Sequence, residues 1–140
     1  MIEAGLVIGY DYTVLRQHIP SGRTSGSIPD DGALWYFLWE NRDRVFGFAH
    51  SHPGSGIPVA SHTDLTTFAA IEQALARRLA WWIASNSHVS LIQQLDGHGY
   101  TCVAVHEFGS CPSVSSTFTL YPWLRELQEL SQRGAISPLE

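Results

Sequence analysis

Residues 47–65, GFAHSHPGSGIPVASHTDL, decide how this chain is read. Residues 45–52 are apolar and aromatic and stop at Pro53, which predicts a strand. Side chains two apart on a strand share a face, so His50 and His52 project together. Residues 54–60 hold two glycines and a proline and read as a loop. Ser61 then stands where a helix N-cap belongs, and Asp64 falls three residues on, inside the first helical turn. Folding the loop back brings Asp64 against the two imidazoles. Two histidines and one carboxylate leave a fourth position for water, the pattern of a catalytic rather than a structural zinc site. The expected metal ligands are therefore His50, His52 and Asp64, with Zn2+ as cofactor.

His50-Ser51-His52-Pro53, a short loop, and then Ser61-x-x-Asp64 resemble the signature of the JAMM metalloproteases, also called the MPN-plus or JAB-domain family. That family also carries a Glu upstream, just before an apolar strand of the form G-L-x-x-G. Glu3, followed by Gly5, Leu6, Val7, Ile8 and Gly9, is similar, but one residue closer to its glycine than the family pattern has. A bulge near the start of the strand would restore the phase. The loop between Pro53 and Ser61 is one residue longer than the family pattern, and an extra loop residue costs little closure entropy.

The resemblance implies an α/β, cytidine-deaminase-like MPN/JAB fold, with a central, mixed, mostly antiparallel sheet flanked by helices. It also implies two catalytic residues: Glu3 as general base and then acid, and Ser61 as the donor that stabilises the oxyanion. The implied substrate is the isopeptide or peptide bond at the C-terminal Gly of ubiquitin or a ubiquitin-like protein. Family relatives leave two alternatives open: a zinc peptidase acting on another amide, such as a cell-wall peptide, and a non-catalytic MPN scaffold. The intact ligand set speaks against the scaffold.

The remaining chain reads in order as follows. Residues 2–9 and 13–19 are antiparallel strands, and residues 20–32, rich in Ser, Gly, Asp and Pro, are an exposed, mobile loop. Residues 33–40 are apolar almost throughout, so periodicity does not separate helix from strand; the resemblance implies a helix. Residues 61–78 form the clearest helix, with Leu65, Phe68, Ile71, Leu75 and Leu79 on one stripe. Strands follow at 81–84, 88–95 and 100–108, with a hairpin turn at 96–99 and a loop at 109–116. Pro122 suits the first turn of a last helix, lined by Trp123, Leu127 and Leu130 and stopped by Gly134.

A length of 140 residues fits one domain, so 1–140 is read as a single unit. Thirteen acidic against eight basic residues give a net charge of −5, which argues against a nucleic-acid partner. No apolar run reaches the roughly 18 residues that span a membrane, and Met1 leads straight into a strand, with no signal segment. Cys102 and Cys111 make no C-x-x-C pair and read as reduced thiols of a cytoplasmic protein, with a disulfide between them as the less favoured alternative.

Plainer readings exist for each site residue. His50 and His52 are read otherwise as ordinary strand histidines, Asp64 and Ser61 as a capping pair, and Glu3 as a solvated N-terminal residue. His62 is a competing ligand, and Glu40 is the substitute base if Glu3 fails. Glu40, Glu72 and Glu107 read as solvated faces, His18, His88, His98 and His106 as surface or structural, and Trp81 and Trp82 as core and rim of one strand. Two histidines and a carboxylate also make the facial triad of non-heme iron enzymes. An Asp opening a long amphipathic helix fits that poorly.

Overall fold

The computed structural model of the chain describes residues 1–96, 99–109 and 116–133. Among them six strands and four helices follow one another as β1 (Gly5–Gly9), β2 (Val14–His18), α1 (Gly32–Glu40), β3 (Val45–Ser51), α2 (His62–Leu75), β4 (Ala80–Ala84), β5 (His88–Leu95), β6 (Gly99–Glu107), α3 (Thr117–Leu120) and α4 (Leu124–Arg133). The strands form one sheet in the order β2-β1-β3-β4-β5-β6. Only the central pair, β3 and β4, is parallel; every other neighbouring pair is antiparallel. The fold is thus α/β with a mixed, mostly antiparallel sheet, as expected.

The parallel pair explains where the site forms. A parallel connection needs a crossover, and α2 supplies it between β3 and β4. The chain leaving the carboxyl end of β3 therefore returns at the amino end of α2. Crevices outside the carboxyl ends of parallel strands are where α/β sheets bind ligands.

Two cores lie on opposite faces of the sheet. One packs Val7, Phe48, Trp81 and Ile83 against Leu34 and Leu38 of α1 and Phe68 and Ile71 of α2. The other packs Leu6, Ile8, Ala49 and Trp82 against Tyr121, Trp123, Leu124 and Leu127. The alternation along β1 and β3 divides these residues, as period two requires. Trp81 and Trp82 are each 1% exposed, so both are core, one per face, and neither is a rim residue.

The helix expected over 33–40 is present, capped by Asp31, whose carboxylate accepts from the Leu34 N–H at 2.8 Å. The helix expected over 61–78 stops at Leu75. Ala76 is left-handed (φ 55°), which costs about 1–2 kcal/mol for a residue with a Cβ. The cause is Glu72. Its carboxylate is buried and accepts from the Leu79 N–H at 2.8 Å and the Trp81 Nε1–H at 2.9 Å, and from the Tyr100 hydroxyl. Glu72 is therefore an interior peg that turns the chain from α2 into β4, not a solvated side chain.

Residues 117–120 make a short helix of their own, and Pro122 sits in the turn before α4 rather than in its first turn. Cys111, Gly134 and parts of the 96–99 turn and the 109–116 loop lie outside the described residues; Cys102 is a free thiol. No helix among the described residues is long and apolar enough to cross a membrane.

Candidate metal centre

β3 delivers His50 and His52 to one face at its carboxyl end. Their Nε2 atoms stand 3.0 Å apart. The loop after Pro53 returns because it is stapled to the β4–β5 turn. Asn86 N–H donates to the Gly54 carbonyl, Ser87 Oγ accepts from Gly56 N–H, and the Ser85 and Ser90 hydroxyls donate to the Gly56 and Pro58 carbonyls. Gly54 and Gly56 both have φ above +100°, a conformation open only to glycine at little strain.

The loop ends at Ser61, which caps α2 reciprocally. Ser61 Oγ accepts from Asp64 N–H at 3.0 Å, and Asp64 Oδ2 accepts from Ser61 N–H at 2.9 Å. Such a capping box is worth about 1 kcal/mol. It also fixes the Asp64 carboxylate with one oxygen toward each histidine: Oδ1 lies 3.3 Å from His50 Nε2, and Oδ2 lies 3.2 Å from His52 Nε2. Capping and facing the histidines are the same conformation, so the plainer reading of Asp64 coexists with the ligand reading.

Glu3 completes the cluster. It precedes β1, but the β1–β3 register extends past Gly5–His50: Ser51 N–H donates to the Ala4 carbonyl at 2.9 Å. The next position places Glu3 opposite His52, on the face that carries His50. No bulge lies at that end; the irregularity in this pair falls at the far end, between Ile8 and Gly9. Glu3, His50 and His52 each bring one ligand atom within 4.8 Å of the others and could hold a metal ion.

Hydrogen bonds to backbone hold Glu3 there. Its N–H donates to the Thr24 carbonyl and its carbonyl accepts from Arg23. Ala4 N–H donates to Ser51 Oγ, whose hydroxyl donates to Ser131 Oγ, and Ser131 in turn donates to the Ile2 carbonyl. The sequence reading had no role for Ser51, Arg23 or Ser131. Ser51 was visible inside the motif, but its partners are 47 and 80 residues away, and no local pattern reveals them.

The electrostatics follow from burial. Glu3 is 4% exposed, and burial pushes its carboxyl up to about 7, with the His52 ring pulling the other way. Burial pushes the His50 imidazole down and keeps it neutral, the form that ligates. For His52 burial acts downward too, but Asp64 and the Glu3 carboxylate outweigh it, and the net shift is upward. Burial opposes ionisation of Asp64, yet the two imidazoles and the Ser61 N–H hold it far below the usual carboxylate range.

A tetrahedral ion with bonds of about 2.0–2.1 Å spaces its donors about 3.4 Å apart. The His50–His52 and His–Asp64 separations of 3.0 to 3.3 Å fit that edge. His62 is exposed at the start of α2 and does not join the cluster; neither does Glu40, at the end of α1. His18 is buried elsewhere, with Nε2 2.7 Å from the Pro29 carbonyl. No protein-family model matches this chain, and no curated protein matches it. The functional reading therefore stands on the geometry of the cluster.

Proposed function

We propose that this chain is a zinc-dependent metalloprotease or isopeptidase, hydrolysing an amide bond. The observation that carries the reading is the facing arrangement of two imidazoles and the Asp64 carboxylate, with Glu3 buried at their edge. His50, His52 and Asp64 would hold the zinc. Zinc, when bound, lowers the pKa of a coordinated water from about 15.7 toward about 7.

The chain's own residues do the rest. Glu3, buried beside the two histidines, is placed to accept a proton from the attacking water and to return it to the leaving amine. The new C–O bond forms at the carbonyl carbon, the C–N bond breaks, and the proton from water leaves on the amine. Ser61 Oγ accepts its bond from Asp64 N–H, which leaves the hydroxyl proton to donate toward the developing oxyanion.

The resemblance to JAMM enzymes makes the C-terminal Gly linkage of a ubiquitin-like tail the first substrate to try. A second reading, a peptidase for another amide, is favoured by a cavity with an aromatic and aliphatic wall, lined also by His50 and Asp64. A ubiquitin-like conjugate and a set of short peptides, each with and without chelator, test the proposal. Chelator-sensitive cleavage of either supports it. Zinc-loaded protein that cleaves none of them contradicts it.

A further inference from the structure

A cavity of about 240 Å³ opens beside the metal cluster. Its wall is built from Leu34 of α1, Phe48 of β3, Phe68 and Ile71 of α2, and Trp81 of β4. Phe68 and Trp81 stack at 4.2 Å with their planes 13° apart, and the His50 ring meets Phe68 edge-on at 6.1 Å. The cavity is thus continuous with the ligand histidine. Ser61 and Asp64 line its mouth, whereas Glu3 and His52 do not line it. Ile28 and Asp30 also line it; between them the Pro29 carbonyl lies 2.7 Å from His18 Nε2, and Asp30 accepts from Trp35 Nε1–H.

That asymmetry gives the cavity a direction. On the hydrolase reading above, Glu3 serves the leaving amine and Ser61 serves the carbonyl oxygen. On that reading, a space lined by Ser61 and not by Glu3 is assigned to the acyl side of the scissile bond. Drug-sized ligands occupy about 300–1,000 Å³, so this smaller volume suits one side chain. His18, Ser27, Asp30 and Thr63 also line it, but the contiguous aromatic and aliphatic wall is the part that a bulky apolar side chain would fill and that glycine would leave without contacts.

We propose that this cavity is an acyl-side specificity pocket that takes one bulky apolar side chain, leucine- to phenylalanine-sized, from the residue whose carbonyl is attacked. The proposal rests on the hydrolase reading and narrows its substrate class. Substrates with such a residue are preferred over those ending in glycine at that position. A hydrophobic pocket discriminates about 10- to 200-fold for a single methylene, so the preference should be at least about tenfold.

Two measurements test this. In the first, kcat/KM is compared on zinc-loaded protein for peptides that differ only in Gly, Leu or Phe on the acyl side. In the second, binding of N-acetyl-glycine, N-acetyl-leucine and N-acetyl-phenylalanine is followed by calorimetry, which needs no turnover. The expected result is a tenfold or greater preference for Leu and Phe in both. Thr67 lines the cavity at half-burial, so Thr67→Phe should fill it and collapse that ratio. Equal binding of the glycine and leucine compounds overturns the pocket, whatever is cleaved. A binding preference without cleavage of any peptide leaves the pocket standing and removes the hydrolase reading. If Thr67→Phe does not fold, the two wild-type series still decide.

Discussion

Two carboxylates are buried among the described residues, and their surroundings differ in a way that separates scaffold from candidate site. Glu72 is 6% exposed and Glu3 is 4% exposed. Both oxygens of Glu72 are used: they accept from the Leu79 N–H, the Trp81 indole and the Tyr100 hydroxyl. All three donors are neutral, two of them in side chains of the sheet, and the result is a fixed corner between α2 and β4. Glu3 accepts no side-chain hydrogen bond from a described residue; it faces His50 and His52 instead. Its backbone, by contrast, is tied down on both sides. Glu72 is thus fully partnered, whereas the backbone of Glu3 is anchored and its carboxylate faces two imidazoles, the contrast expected between a structural carboxylate and a candidate functional one.

Substitutions test that contrast, and the largest effect is expected on the site side. His52→Ala should abolish both zinc binding, measured by calorimetry, and all hydrolysis. Glu3→Gln should keep the metal and lower kcat by about 100- to 10,000-fold, the usual worth of a general base; wild-type turnover in this variant would place the base elsewhere. Ser61→Ala should lower kcat by about 100- to 1,000-fold through the lost oxyanion donor. It should also cost about 1 kcal/mol of stability, by urea unfolding, through the lost cap. A loss of stability alone would make Ser61 a cap and nothing more.

Glu72→Leu should do the reverse. It strands three donors at about 1–3 kcal/mol each, so the midpoint of urea unfolding should drop sharply while zinc affinity stays put. The smallest effect is in pH dependence. In the metal-free chain the folded pKa of Glu3, about 7, lies above the ordinary 4.5. The folded state then holds a proton between those values that the unfolded state has released. Its contribution to stability is complete below pH 4.5 and is lost as pH rises through 7. The stability difference between wild type and Glu3→Gln should follow that slope, and a flat difference would mean that Glu3 is better solvated than its burial implies.

The sequence made some of this legible and hid the rest for physical reasons. His50, His52 and Asp64 were readable because strand period, loop composition and helix capping are local rules, and the structure brings all three together. Glu3 was readable only through the family resemblance. Its place is set by pairing across 49 residues to His52 and by Ser51, Arg23 and Ser131, none of which local pattern reports. The bulge invoked for its register was unnecessary, because the segment before β1 continues the antiparallel pairing unbroken. Glu72 was misread because a Glu on a helix is usually solvated, and the three donors that hold it come from other parts of the chain. The end of α2 was misplaced for the same reason, since the Leu75, Leu79 stripe continues in sequence after the helix has stopped.

The most direct test of the central claim is a zinc competition titration of Glu3→Gln beside wild type and Asp64→Asn. If His50, His52 and Asp64 hold the ion while Glu3 stands ready as base, Glu3→Gln binds one zinc within about tenfold of wild type and Asp64→Asn binds far more weakly. Retained affinity in Asp64→Asn together with lost affinity in Glu3→Gln would contradict the account, by making Glu3 the ligand and leaving the site without its base.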